Sequence, residues 1–163
     1  MKPITESEML HRMAAYCSTA ERCLYDIEKK IQQAGLSPEA ANRIISRLVK
    51  EKFIDENRFA RSFVNDKLRF NKWGKVKISY ELKKRNIPVD ILREAMEGID
   101  DLEYNCLLLS ILKEKKKTVK GKDDRDIFIK LLRFAVGRGF ESKETISCLR
   151  QLLKGDGYAD DME

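Results

Sequence analysis

Eight residues between Lys67 and Arg85 carry the groups best placed to do chemistry together. Lys67, Arg69, Lys72, Lys75, Lys77, Lys84 and Arg85 supply positive charge, and Trp73 supplies an indole beside Gly74. Glu81 is the one acid in that interval. Such a set recognises rather than reacts. Ammonium and guanidinium groups attract phosphates or carboxylates, and an indole at a chain break either wedges between helices or anchors a partner. Bond-making chemistry finds no support. His11 is the only histidine, no serine has a histidine partner in sequence, and neither a Gly-rich phosphate loop nor H-E-x-x-H occurs. The pairs Asp100-Asp101 and Asp123-Asp124 fall at helix starts, where negative charge complements the dipole. The reading is a non-enzyme with no cofactor.

Four cysteines, Cys17, Cys23, Cys106 and Cys148, are scattered without a C-x-x-C pair. Cys106 and Cys148 occupy positions in NCLLLSIL and TISCLRQLL that a small apolar residue would suit. They read as reduced, structural residues of a cytoplasmic protein, and a metal site is not expected. The chain has 163 residues, 42% hydrophobic and 37% charged, with a net charge of +6. The apolar fraction is enough for a core, and the charge exceeds the usual share of about 25%. Excess positive charge points to polyanions or acidic protein surfaces as partners. MKPITESEML lacks an apolar signal core, and no segment approaches the roughly 20 apolar residues of a membrane span.

The elements that must position the basic set are helices. Gly and Pro are scarce, and Leu, Ile, Lys, Arg, Glu and Ala dominate. A first helix is expected from about Thr5 to Tyr16. Ser18-Thr19-Ala20-Glu21 reads as a capping box opening a second, with Leu24, Ile27 and Ile31 on one face and Gly35 as its stop. Ser37-Pro38 opens a third, faced by Ile44, Ile45, Leu48 and Val49. Asp55 caps the next helix and forms a local capping pair with Arg58. There Phe59, Phe63 and Phe70 share a narrow arc expected to be core. After Trp73-Gly74, Ile78 and Leu82 lie one turn apart, and Lys77 and Lys84 project together from another face. Pro88 opens ILREAM, and a long helix runs from about Asp101 to Lys117. Lys113 to Lys122 forms a lysine-rich connector whose Lys115-Lys116-Lys117 run reads as solvated. DIFIKLLRFAV and ETISCLRQLL follow, before an acidic tail, GDGYADDME.

Three breaks resemble one another: AGL-SP at Leu36, RNI-PV at Ile87 and RGF-ES at Phe140. They lie about fifty residues apart, room for a three-helix unit. In this register Ile27 and Ile31 correspond to Ile78 and Leu82, and to Leu131 and Ala135. The motifs Phe53-Ile54-Asp55, Ile99-Asp100-Asp101 and Tyr158-Ala159-Asp160 close the units, the second early enough to shorten its last helix by over a turn. The expected fold is all-α, an array of three tandem three-helix repeats over residues 1–55, 56–100 and 101–163, the last with the acidic tail.

FIDENRFARSFV followed by KWGKVKISYELKKRNIP resembles the RecX family of bacterial regulators of the RecA recombinase. Ile54, Asp55, Arg58, Phe59 and Ala60 match the first part of that family's pattern. Lys72, Gly74, Ile78, Glu81, Leu82, Lys84 and Ile87 match the second, and Ala20, Glu21 and Leu24 an upstream segment. Two positions depart from it. Lys72-Trp73 stands where the family often has lysine-glycine, and Asn86 replaces a glycine, although asparagine tolerates the left-handed conformation the stop requires. The resemblance implies an elongated, curved protein and a partner, the RecA filament on single-stranded DNA. Such proteins lie in the filament groove, lower its ATP hydrolysis and strand exchange, and promote its disassembly.

The expected activity is therefore regulation of a RecA filament, carried by Lys67, Arg69, Lys72, Trp73, Lys75, Lys77, Lys84 and Arg85 in a monomer. The alternative is a direct binder of single- or double-stranded DNA without a RecA-specific role. Its candidate reader is EAANRIISRLVKEK, which offers Arg43, Arg47 and Lys50 but also Glu39 and Glu51.

Overall fold

A computed structural model describes residues 2–153. The tail GDGYADDME and the closing motif at Tyr158 lie outside them. Among the described residues the fold is all-helical, nine helices with no strand. They are α1 (Glu6–Thr19), α2 (Leu24–Gln33), α3 (Pro38–Lys50), α4 (Glu56–Arg69), α5 (Lys75–Lys84), α6 (Val89–Glu97), α7 (Asp101–Lys116), α8 (Asp124–Gly137) and α9 (Ser142–Leu153). None is long and apolar enough to cross a membrane. The helices fall into two compact units, Met1–Phe63 with Leu82–Ala95, and Val64–Glu81 with Met96–Glu163.

The helix breaks explain the chain path. Gly35, Asn86 and Gly139 all take positive φ, at 87°, 55° and 98°, and each is followed by the hydrophobic residue of its break. Leaving a helix through the left-handed region lets the next amides return to its last carbonyls. Ile87 N–H thus donates to Leu82 O, and Phe140 N–H to Ala135 O. The six residues equated by the repeat register, Ile27, Ile31, Ile78, Leu82, Leu131 and Ala135, are all fully buried. Helix α6 has nine residues against thirteen in α3, the shortening expected from the early closing motif.

In the first unit, α3 packs on α1 and α2 around Met9, Met13, Ile27, Ile31, Ala41, Ile44, Leu48 and Ile54. Thr5 and Glu8 form a capping box at α1, and Ser37 caps α3 ahead of Pro38. The box expected at Ser18 does not form. Helix α1 runs on to Thr19, and the Ser18 and Thr19 hydroxyls donate back to Ala14 O and Tyr16 O. Glu21, the other half of that box, is held by Arg58 Nε at 2.5 Å. Helix α2 starts four residues past Ala20, at Leu24, with Cys23 as N-cap, whose side chain makes no cap bond. A carboxylate from α4 does that work instead: Glu56 Oε1 accepts Leu24 N–H at 3.0 Å. Burial holds the Glu56 carboxyl above the usual carboxylate range. The Cys23 thiol donates to Asp26 at 3.2 Å, and burial pushes it up to about 12.

Asp55 caps α4 by accepting Arg58 N–H, but the Arg58 guanidinium turns elsewhere, to Glu21 and to the carbonyls of Lys52 and Phe53. The expected local pair is therefore a tie between the α1–α2 connection and α4. Phe59 and Phe63 are buried with ring centroids 5.7 Å apart. Phe70 is not core; it is 79% exposed. Helix α4 stops at Arg69, so the arc shared by Phe59 and Phe63 no longer directs residue 70.

In the second unit α7, α8 and α9 pack on one another through Leu108, Leu112, Phe128, Leu131, Leu149 and Leu153, all buried. Asp100 and Asp123 cap α7 and α8 as their positions suggested. Cys148 is buried, but Cys106 is exposed, because the apolar run of α7 wraps the helix and residue 106 falls on its outer side.

Candidate functional site

The turn from Phe70 to Gly74 joins α4 to α5 inside the second unit. Lys72 takes φ 55°, which lets Trp73 N–H return to Lys67 O at 3.0 Å. That reversal leaves the indole half-buried beside two ammonium groups, Lys77 Nζ 4.5 Å and Lys67 Nζ 5.0 Å from its ring centroid. Both lie within cation–π reach. Trp73 thus organises the nearby charge as well as packing.

The turn is clamped onto the break between α8 and α9. Gly74 N–H donates to Arg138 O at 2.8 Å, and Val76 N–H to Gly139 O at 2.9 Å. Arg138 returns the contact, with Nη2 donating to Asn71 O at 2.7 Å and Nε to Lys72 O at 3.3 Å. The backbones meet so closely that a Cβ on Gly74 would lie 2.3 Å from the Gly139 carbonyl, and one on Gly139 would lie 2.3 Å from Lys77 Cβ. Each glycine is required by the other's strand of chain.

A buried tyrosine completes the support. Tyr104 OH accepts Lys75 N–H at 3.0 Å and donates to Glu141 Oε1 at 2.5 Å, while its ring packs tilted against Phe140 with centroids 5.4 Å apart. Burial, and next the bond to Glu141, push its phenol well above the usual range. Lys75 Nζ lies 4.5 Å over the Tyr104 ring and 3.7 Å from Asp101. Arg69 pairs with Glu103 at 2.7 Å. The charge around the turn is therefore partly offset by two acids at the start of α7. Reading the interval from Lys67 to Arg85 alone could not show this, because those acids are distant in sequence.

Of the eight candidate residues, Lys67, Arg69, Lys72, Trp73, Lys75 and Lys77 belong to the second unit, and Lys84 and Arg85 to the first. Lys72 and Lys84 are exposed, and Arg85 places its guanidinium 5.0 Å over the Phe63 ring. Sequence reading missed Arg138, Gly139, Tyr104 and Glu141. The RGF-ES break was visible, but only as a repeat boundary. On α3, the alternative reader, Arg43 is held by Glu6 at 2.7 Å and Arg47 by Glu51 at 2.8 Å, so two of its three cations are already paired.

Residues 55–96 match the family model described as RecX, second three-helix domain. The chain is similar to Regulatory protein RecX of Prosthecochloris aestuarii, 31% identical over 144 residues that cover 88% of this chain and 93% of that one. It is 32% identical to Regulatory protein RecX of Lactobacillus johnsonii over 103 residues, and 32% identical to that of Clostridium tetani over 139. These matches cover 63% and 84% of this chain, but only 38% and 62% of those relatives' own length. The crystal structure of RecX from Lactobacillus salivarius shares the fold, with a TM-score of 0.81 at 18% identity, covering 90% of this chain and 96% of that one.

Proposed function

Because the chain belongs to the RecX family of regulatory proteins, we propose that it binds a RecA filament on single-stranded DNA and lowers its ATP turnover, strand exchange and stability. The observation that carries this reading is the clamped basic turn, where Lys67 and Lys77 flank Trp73 and Lys72 stands exposed beside them. A rigid turn presents its charges in one geometry, so a partner's acidic groups do not have to order them on contact. The repeats over 1–55, 56–100 and 101–163 would offer successive filament subunits several modest contacts, which act together through effective concentration. The protein then regulates by occupancy, without catalysis of its own, in the cytoplasm.

The test is titration into RecA filaments on single-stranded DNA while ATP hydrolysis and filament length are followed. Wild-type protein is expected to lower both. The triple variant Lys72→Glu, Lys77→Glu, Lys84→Glu should lose most of that effect while keeping its thermal melt. Undiminished inhibition by the folded variant would sink the assignment of these residues. No effect of wild-type protein would sink the RecA reading itself.

A further inference from the structure

We propose that an open groove of the second unit, beside Lys72 and between α7 and α8, binds one nucleotide of a single-stranded nucleic acid, its base on Phe134 and its phosphate among Lys72, Lys115 and Arg138. The groove encloses about 490 Å³. That is within the range of small-ligand sites, about 300–1,000 Å³. Its cations come from three separate places in the chain, the α4–α5 turn, the last turn of α7 and the end of α8. Two of them meet a half-buried aromatic ring, with Lys115 Nζ 5.1 Å and Arg138 Cζ 5.7 Å from the Phe134 centroid, and Lys72 lines the same groove.

Simpler roles explain parts of this arrangement. Lys115 and Arg138 sit at helix C-terminal ends, where cations offset the negative end of the dipole. Dipole complementarity does not account for Lys72, which comes from another element, or for an aromatic wall between the charges. Arg138 is held in place by its bonds to the Asn71 and Lys72 carbonyls, so its charge is fixed at the groove rather than swept by a flexible chain. The acid on the rim, Glu114, lies 3.3 Å from Lys117 Nζ, which draws its charge outward.

The occupant is chosen by the combination. A carboxylate side chain from a protein would satisfy the cations but leave the exposed part of the Phe134 ring uncovered. A nucleotide satisfies both, since bases stack on aromatic faces while phosphates meet lysine and arginine. The base must be free of a duplex to reach the ring, which selects a single strand. This site needs no RecA, and apart from Lys72 it uses none of the residues assigned to the filament contact.

The experiment is fluorescence anisotropy of a labelled oligo-dT strand titrated with the full chain, without RecA, over a series of salt concentrations. Phe134→Leu, which keeps apolar volume but removes the π-face, should weaken binding about 10-fold. Lys115→Gln should lower the log–log salt slope by about 0.7, the loss of one phosphate contact on a single strand. Oligo-dT carrying 5-iodouracil should photocrosslink to the peptide containing Phe134, a readout that needs no variant. Wild-type affinity in a folded Phe134→Leu protein, or a crosslink elsewhere, would overturn the proposal. So would displacement of the strand by poly-glutamate as readily as by unlabelled DNA of equal charge, which would mark a surface for acidic proteins. Any of those results leaves the RecA reading standing, because the recombinase is absent from the assay.

Discussion

Substituting alanine at four glycines should give four different results, and the clamp under the basic turn sets the largest. At Gly74 a methyl group would lie 2.3 Å from Gly139 C and O and from Phe140 N, all backbone atoms that cannot rotate away. The two chain segments must separate, which endangers the bonds from Gly74 N–H to Arg138 O and from Val76 N–H to Gly139 O. Overpacking costs about 1–3 kcal/mol, and each backbone bond adds about 1 kcal/mol. Gly74→Ala should therefore lose about 3–5 kcal/mol, or about 10 °C in melting temperature for a chain of this size. Gly139→Ala meets Lys77 Cβ at 2.3 Å and also carries φ 98°, so its loss should be at least as large. Gly35 has φ 87° but nothing within 4 Å, and alanine there should cost only the left-handed penalty, about 1 kcal/mol. Gly137 ends α8 in open space, so alanine should be neutral or gain about 0.5 kcal/mol from helix propensity. Thermal melts followed by circular dichroism rank the set. Emission from Trp73, the only tryptophan, reports on the turn itself. A Gly74→Ala protein that melts within about 1 °C of the parent with unchanged Trp73 emission would refute the clamp, since no relaxation of the observed contacts is that cheap.

Two further expectations concern buried polar groups. Tyr104→Phe strands both Lys75 N–H and the Glu141 carboxylate, and should cost about 1–3 kcal/mol in urea unfolding; a neutral result would mean that water replaces the hydroxyl. Glu56 has a folded-state pKa raised by burial, so its protonated form is favoured by folding. Its contribution is fully present below the unfolded value of 4.5 and is lost as pH rises through the raised folded value. Glu56→Gln removes this titration while keeping an oxygen for Leu24 N–H. Its urea midpoint should therefore decline less than the parent's as pH is raised through that window, and an identical decline in both proteins would rule the assignment out.

What could be read in the sequence divides along one physical line. Helix caps at Ser37, Asp55, Asp100 and Asp123, and stops at Gly35, Asn86 and Gly139, depend on groups within a few residues of one another, so spacing reveals them. The burial of Ile27, Ile78 and Leu131 follows from helical period and from equivalence between repeats. Where a distant group competes for the same atom, local rules fail. Ser18-Thr19-Ala20-Glu21 has the letters of a capping box, but Arg58 holds Glu21, and Glu56 supplies the accepting oxygen for α2 from 32 residues away. Phe70 has the right angle and no helix left to direct it.

The basic turn divides along the same line. Its residue types and their concentration were visible, and Trp73 was visibly unusual. Its shape was not, because that shape belongs to pairs of segments: Gly74 against Gly139, Arg138 against the Asn71 and Lys72 carbonyls, Tyr104 between Lys75 and Glu141. Two of its cations are also answered by Asp101 and Glu103, so counting charge in the interval overstates the free field. A lysine-rich turn that merely solvated a helix break would need no glycine on the opposite segment and no buried phenol beneath it. Holding a short basic loop rigid, at the cost of a left-handed lysine and a glycine-only contact, makes physical sense where the position of its charges matters to something outside the chain.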